Sequence, residues 1–302
     1  MSDGGGSREA TRRARRIVVK VGSSILTRDG ALRQRTFSEV ARQVAALCDA
    51  GRELVVVSSG AIAIGSRELG WEVPGRSIPE KQAAAAVGQI GLIEIYRRRF
   101  ASRGRRVAQI LVTRTGLEER ERFLNARRTL MTLLGLGVVP IVNENDTVAT
   151  EEIRFGDNDN LSATVVNLVG ADLLVILTDV DGLYDRPPSA SEGEPPKLYD
   201  VVESIGTEIE RAAQGSASAF GRGGMTTKLQ AAQAAARCGA STVLCNGNAK
   251  DVLQRVANGE RVGTLFLAGN RLASRKHWLA FTLGVRGALV IDAGAEIGRA
   301  HV

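Results

Sequence analysis

Short, continuous apolar runs alternate along this chain with longer stretches whose apolar residues recur every three or four positions. The runs are RIVVKV, stopped by Gly22, Ser23 and Ser24, then ELVVVS at 53–58, VAQILV from 107, VVPIV at 138–142, DLLVILT at 172–178, STVLCNG from 241 and GTLF ending at 266. Uninterrupted apolar runs of this length mark parallel strands buried on both faces. Between them, residues 36–50 set Phe37, Val40, Val44 and Leu47 on one helical face, and Gly51 ends the pattern. Helical spacing also fits 81–100, the segment from 118 (with Phe123, Leu130 and Leu134 inward), 161–170, 201–213, 226–239 and 250–257. Strands alternating with helices predict an α/β fold, a three-layer αβα sandwich around a mainly parallel sheet with right-handed crossovers.

The polar interruptions carry the remaining information. The segment 185–197, rich in Pro, Ser and Gly, reads as an exposed loop, and GSASAFGRGGM before the helix at 226 as a flexible one. The loop at 143–160, NENDTVATEEIRFGDNDN, gathers Asp146, Glu151, Glu152, Asp157 and Asp159 among Asn143, Asn145, Asn158 and Asn160. It reads either as a solvated surface loop or as a ligand loop at the carboxyl end of a parallel strand, where open α/β sheets bind substrates. The alternating ligand order of an EF-hand calcium loop is absent. The ligand-loop reading is favoured, since it sets Asp157 and Asn158 at a helix start whose free N–H groups attract anions.

Composition narrows the function classes. An apolar fraction of 44% over 302 residues supports a sizeable core. No run approaches the ~20 apolar residues of a membrane span, and the basic N-terminus has no apolar centre, so a soluble, cytoplasmic protein without a membrane partner is expected. The two histidines, His277 and His301, fall in the last thirty residues, which argues against a histidine metal site or a Ser/His/Asp triad. Cys48, Cys238 and Cys245 form no CxxC pair and read as reduced core thiols. The net charge of +7 stems chiefly from arginines at 8–16 and 97–106, read as a disordered arm (1–15) and a solvated helix face. With 4% aromatics there is little to stack bases on, and nucleic acid is not an expected partner.

Two lysines then stand out. Lys20 interrupts a buried strand, a costly place for a charge unless it meets an anion, and Gly22 after it allows close backbone approach. Lys228 lies in the first turn of the helix that follows GRGGM, a credible anion cradle although the Walker A spacing fails. TDVDGLYD at 178–185 follows a strand and reads as a further nucleotide contact or a plain turn.

The segments VVKVGSSILT, VVSSGAIAIG, KQAAAAVGQIGL, ERFLNARRTL, PIVNENDTVATEEIRFGDNDNLSA, LLVILTDVDGLYD and GGMTTKLQAA resemble, in order, the glutamate 5-kinase branch of the amino-acid kinase family. The resemblance runs over about residues 16–268, and the NENDTVAT and GDNDNLSA pair is its most specific part. It implies phosphoryl transfer from ATP, with Mg2+, to the γ-carboxylate of L-glutamate, the first step of proline synthesis. Lys20, Lys228 and Asp159 then take the catalytic positions, and Asp157 helps organise magnesium. Ser59, Asp146 and Asn158 match glutamate-binding positions. Thr178, Asp179 and the loop Arg222, Gly223, Gly224, Met225, Thr226, Thr227 and Lys228 match ATP-binding ones.

The family also implies a homo-oligomer, dimer or tetramer, and proline as feedback inhibitor. Arg222 departs from the family, many of whose members carry threonine there. RKHWLAF in the tail at 269–302 resembles the first strand of a PUA domain, which the tail is too short to complete. The alternatives are another kinase of the family, or a non-catalytic RNA-binding or regulatory relative. The presence of Lys20, Asp159 and Lys228 together argues against the latter.

Overall fold

A computed structural model describes residues 8–28, 31–73, 75–149, 158–186, 195–214 and 224–269. The strands of the main sheet are β1 (Arg16–Val21), β2 (Glu53–Ser58), β3 (Val107–Val112), β4 (Val139–Glu144), β5 (Leu173–Thr178), β6 (Val201–Val202), β7 (Ser241–Asn246) and β8 (Thr264–Phe266). They form one sheet in the order β3-β4-β2-β1-β5-β7-β8-β6, parallel except where β8 runs against β7. The helices used below are α1 (Glu9–Arg13), α2 (Gln34–Asp49), α3 (Ala61–Glu68), α4 (Ile78–Ala101), α5 (Arg120–Gly135), α6 (Asn158–Val169), α7 (Thr207–Gln214), α8 (Met225–Arg237) and α9 (Val252–Ala257).

The period-two alternation of β1 sorts its side chains between two cores. Ile17, Val19 and Val21 pack with Phe37 and Val44 of α2, Leu92, Tyr96 and Phe100 of α4, and Val252 and Val256 of α9. Val18 faces the other layer with Phe123 and Leu130 of α5, Val165 and Leu168 of α6, and Leu229 and Ala235 of α8. Lys20 shares the parity of Val18, which turns its ammonium to the layer of α6 and α8. The αβα sandwich expected from the pattern is therefore present.

Helix α4 begins earlier than its apolar spacing suggests because Ser77 and Glu80 form a capping box on either side of Pro79. It crosses α3 at glycines. A Cβ on Gly65 would lie 1.8 Å from the Ala84 carbonyl oxygen, and one on Gly88 1.9 Å from that of Ala61.

Two expectations are corrected. The basic arm at 1–15, expected to be disordered, is placed in its described part, 8–15, where Glu9–Arg13 form α1. Arg8 is buried and donates to the carbonyls of Glu260 at 3.1 Å, Val262 at 2.9 Å and Gly263 at 2.9 Å, and to the Asp200 carboxylate at 2.6 Å. These acceptors solvate the guanidinium in place of water and tie α1 to the far edge of the sheet. The segment 201–213 is not one helix, since Val201 and Val202 pair with Leu265 and Phe266 as an edge strand before α7.

Cys48, Cys238 and Cys245 form no disulfide, Cys245 being buried and the other two half-buried. Among the described residues, no helix is long and apolar enough to cross a membrane. The tail from 270 on, with both histidines and the PUA-like segment, lies outside the described residues, as does most of the Pro-rich stretch at 185–197.

Candidate active site

Parallel pairing brings the carboxyl ends of the central strands to one side of the sheet. Val21 is level with Ser58 of β2 and with Leu177 of β5, so the segments that follow all three strands open into one crevice. The chain leaves β1 toward β2 and returns on its other side as β5, the kind of switch point where open α/β sheets hold ligands. The amino ends of α6 and α8 reach the same crevice.

At its centre Asp159, 2% exposed, stands between two lysines. Lys20 Nζ lies 2.6 Å from Asp159 Oδ1 and Lys228 Nζ 3.3 Å from Oδ2. Thr227 Oγ1 donates to Oδ2 at 2.7 Å. Burial pushes the Asp159 carboxyl up, but Lys20 and Lys228 more than offset it and hold the group at about 2. Burial pulls the Lys228 ammonium down, and Asp159 opposes that. Three buried charges thus sum to one positive, which suits an incoming anion. Gly22 lets β1 end against β5: a Cβ there would sit 3.0 Å from the Leu177 carbonyl, which the Gly22 N–H already engages at 3.1 Å.

One residue earlier, Asn158 faces a different set of partners. Its Nδ2 donates to Ser58 O at 3.1 Å, Ser59 Oγ at 2.9 Å and Asn143 Oδ1 at 3.1 Å. Asn143, buried at the end of β4, donates in turn to Gln89 Oε1 at 2.9 Å. Gly60, with φ at 109°, turns the chain sharply from Ser59 into α3. Asp146 is half-buried on the turn after β4, where Val148 and Ala149 donate back to Asn145.

Residues 15–246 match the model described as the amino acid kinase family. The chain belongs to that family. Among its relatives, the glutamate 5-kinase of Burkholderia mallei (strain SAVP1) is 54% identical over 284 residues, 93% of this chain and 76% of the relative. That of Burkholderia thailandensis is 53% identical over the same shares. The crystal structure of UMP kinase from Bacillus anthracis superposes with a TM-score of 0.56 at 17% identity, covering 85% of this chain and 97% of that one, and so agrees in fold.

In this amino acid kinase the structure brings together Lys20, Ser59, Asn158, Asp159, Thr227 and Lys228. Thr178 is buried at the end of β5 and donates to Asp179 Oδ1 at 3.0 Å, which also accepts from Ser24 Oγ at 3.2 Å. Gly224 caps α8, Met225 is buried beneath it and Thr226 is exposed. Asp157, Arg222 and Gly223 lie outside the described residues. Sequence reasoning missed Gln89 and Tyr96, whose hydroxyl lies 2.9 Å from Ser58 Oγ. Both are single residues in a long helical pattern, and nothing local marks them.

The described residues contain no group of three His, Cys, Asp or Glu able to hold a metal. Both oxygens of Asp159 are engaged by lysines, so its donor chemistry does not fit a magnesium ligand.

Proposed function

We propose that this kinase transfers the γ-phosphoryl group of ATP to the γ-carboxylate of L-glutamate, giving glutamyl 5-phosphate and ADP at the start of proline synthesis. The observation that carries the reading is the adjacency of Asn158 and Asp159. Consecutive residues at one helix start face an amide-and-hydroxyl pocket and a two-lysine cation site, so an acceptor and a transferring phosphoryl group can lie side by side. ATP turnover measured with and without L-glutamate tests it, and turnover indifferent to L-glutamate would refute it.

In the step, a γ-carboxylate oxygen forms the new bond to phosphorus while the bond to the bridging oxygen of ADP breaks. Both partners are anions, and at an effective dielectric near 20 each pair of unit charges 4 Å apart costs about 4 kcal/mol. Lys20 and Lys228 answer that repulsion, and Asp159 holds both ammoniums in position. Asp146 suits the substrate ammonium, while Ser59 and Asn158 hydrogen-bond its polar groups. Thr178, Asp179 and the loop 222–228 are assigned to the nucleotide.

Magnesium, when bound, neutralises phosphate charge. Asp157, which lies outside the described residues, is assigned to help organise it. The kinase unit is assigned to residues 16–268, with a PUA-like segment following it. A cytoplasmic dimer or tetramer inhibited by proline accords with the family resemblance.

Two expected results follow from the assignment. Alanine at Asp146 or Asn158 raises the KM for glutamate about tenfold or more, with the KM for ATP within about twofold, because the lost hydrogen bonds are made to the acceptor. Equal effects on both substrates would contradict it. A glutamate carboxylate, with an unperturbed pKa of ~4.3, has no proton to lose at neutrality. With Asp159 held at about 2, kcat at saturating magnesium shows no acidic limb between about pH 6 and 7.5. A limb there that vanishes in Asp159→Asn would identify a general base and point to a hydroxyl or amine acceptor.

A further inference from the structure

Beneath the acceptor pocket runs a buried chain of amides that the reaction does not itself require. Asn158 places its amine end against Ser58 O and Asn143 Oδ1. Ser58 O is a backbone carbonyl and can only accept, so a flipped Asn158 amide would set oxygen against oxygen. Asn143, 2% exposed, is held in register because its own amine end donates to Gln89 Oε1 at 2.9 Å. Gln89, 9% exposed, projects from α4 into this layer. Seven residues earlier on the same helix, Gln82 Nε2 donates to Ala149 O at 3.2 Å. Helix α4 thereby holds both ends of the segment 143–149.

The consequence lies at the other end of the Asn158 amide. Its Oδ1 is buried with no hydrogen-bond partner among the described residues. A buried acceptor left without a donor is costly, and a ligand N–H group is the natural relief. We propose that Gln89 is a positioning residue of the acceptor site: acting through Asn143, it fixes the Asn158 amide with its oxygen uncommitted, for the ammonium of the acceptor. The inference rests on the glutamate reading. It makes discrimination for an amino-bearing acceptor depend on a residue that need not touch it.

Glutarate, which is glutamate without the ammonium, separates positioning from packing. The measurements are the KM for L-glutamate, the KM for ATP and the inhibition constant of glutarate as a competitor, in the parent, Gln89→Met and Gln89→Glu. Gln89→Met keeps the volume and loses the acceptor for Asn143. It raises the KM for glutamate about tenfold, leaves the KM for ATP and the glutarate constant within about twofold, and so narrows discrimination about tenfold. Gln89→Glu retains an acceptor oxygen and returns the glutamate KM to within about threefold of the parent.

A purely structural residue gives the reverse order, with the buried carboxylate the worse variant and both acceptor ligands weakened alike. Parallel loss of glutamate and glutarate binding, or a Gln89→Met enzyme indistinguishable from the parent, overturns the proposal. Should Gln89→Glu not fold, the glutamate-to-glutarate ratio in Gln89→Met decides alone. The parent's own turnover with L-glutamate tests the underlying reading separately.

Discussion

Replacing Lys20 or Lys228 by alanine is expected to lower kcat by at least about 100-fold while the protein stays folded. Both ammoniums are buried, 6% and 8% exposed, and both are directed at one carboxylate rather than at solvent. Removing either takes the three-charge site from a net single positive charge to neutrality, where it no longer offsets an approaching phosphoryl group. The loss falls on kcat more than on either KM, because the charge is needed most as the phosphoryl group passes between two anions. Asp159→Asn is expected to cost a similar factor for a different reason, since two buried ammoniums then face one another without the anion that positions them. The Lys20→Ala, Lys228→Ala double variant should fall short of the product of the single effects, because the lysines act as a unit through Asp159. Steady-state kinetics with circular dichroism as a folding control checks this. A normal kcat in either single variant would remove that lysine from the catalytic assignment.

The strands were legible because their chemistry is local. RIVVKV, ELVVVS and LLVILT are apolar at successive positions, as a strand covered on both faces must be, and β1, β2 and β5 are its realisation. Lys20 was legible for the same reason, as a charge set inside such a run rather than at its start. Its partner was not, because Asp159 arrives from a helix start far along the chain and no local spacing joins the two; only the family resemblance named it.

The ordered arm shows the limit from the other side. Arg8 looks like a solvated charge until the carbonyls of residues 260–263 close around it, contacts separated by some 250 positions in sequence. The two-residue strand at Val201 is too short to carry a period and exists because β8 offers an edge. Gln89 and Asn143 are neutral amides 54 residues apart. An amide in an Ala-rich helix reads as a solvated residue, and only the packing of α4 beneath the acceptor loop gives it a partner.

Gly88→Ala is expected to be among the most damaging single changes in the molecule, although it adds one methyl group. The new Cβ would lie 1.9 Å from Ala61 O and 2.3 Å from Gly65 N, and its counterpart on Gly65 1.8 Å from Ala84 O. All three neighbours are backbone atoms of a facing helix, which cannot rotate aside as a side chain does. Relief requires α3 and α4 to move apart, opening a gap along a close-packed crossing. Overpacking of this kind costs about 3 kcal/mol or more, and at about 2–4 °C per kcal/mol for a chain of this size the midpoint of thermal unfolding should fall by roughly 6–12 °C. Gly135→Ala is the control: nothing lies within 4 Å of a Cβ there, and alanine in a helix should be neutral or slightly stabilising.

The same displacement has a functional signature. Helix α3 begins directly after Ser59 and Gly60, while α4 carries Gln89 and, through Tyr96, touches Ser58. Spreading the two helices therefore moves one wall of the acceptor pocket against the other and leaves the Lys20–Asp159–Lys228 cluster, which stands on β1, α6 and α8, in place. In Gly88→Ala assayed well below its melting point, the KM for glutamate should rise more than that for ATP. An enzyme that melts with the parent and keeps its glutamate KM would mean that the crossing tolerates separation, and that the acceptor pocket does not take its shape from it.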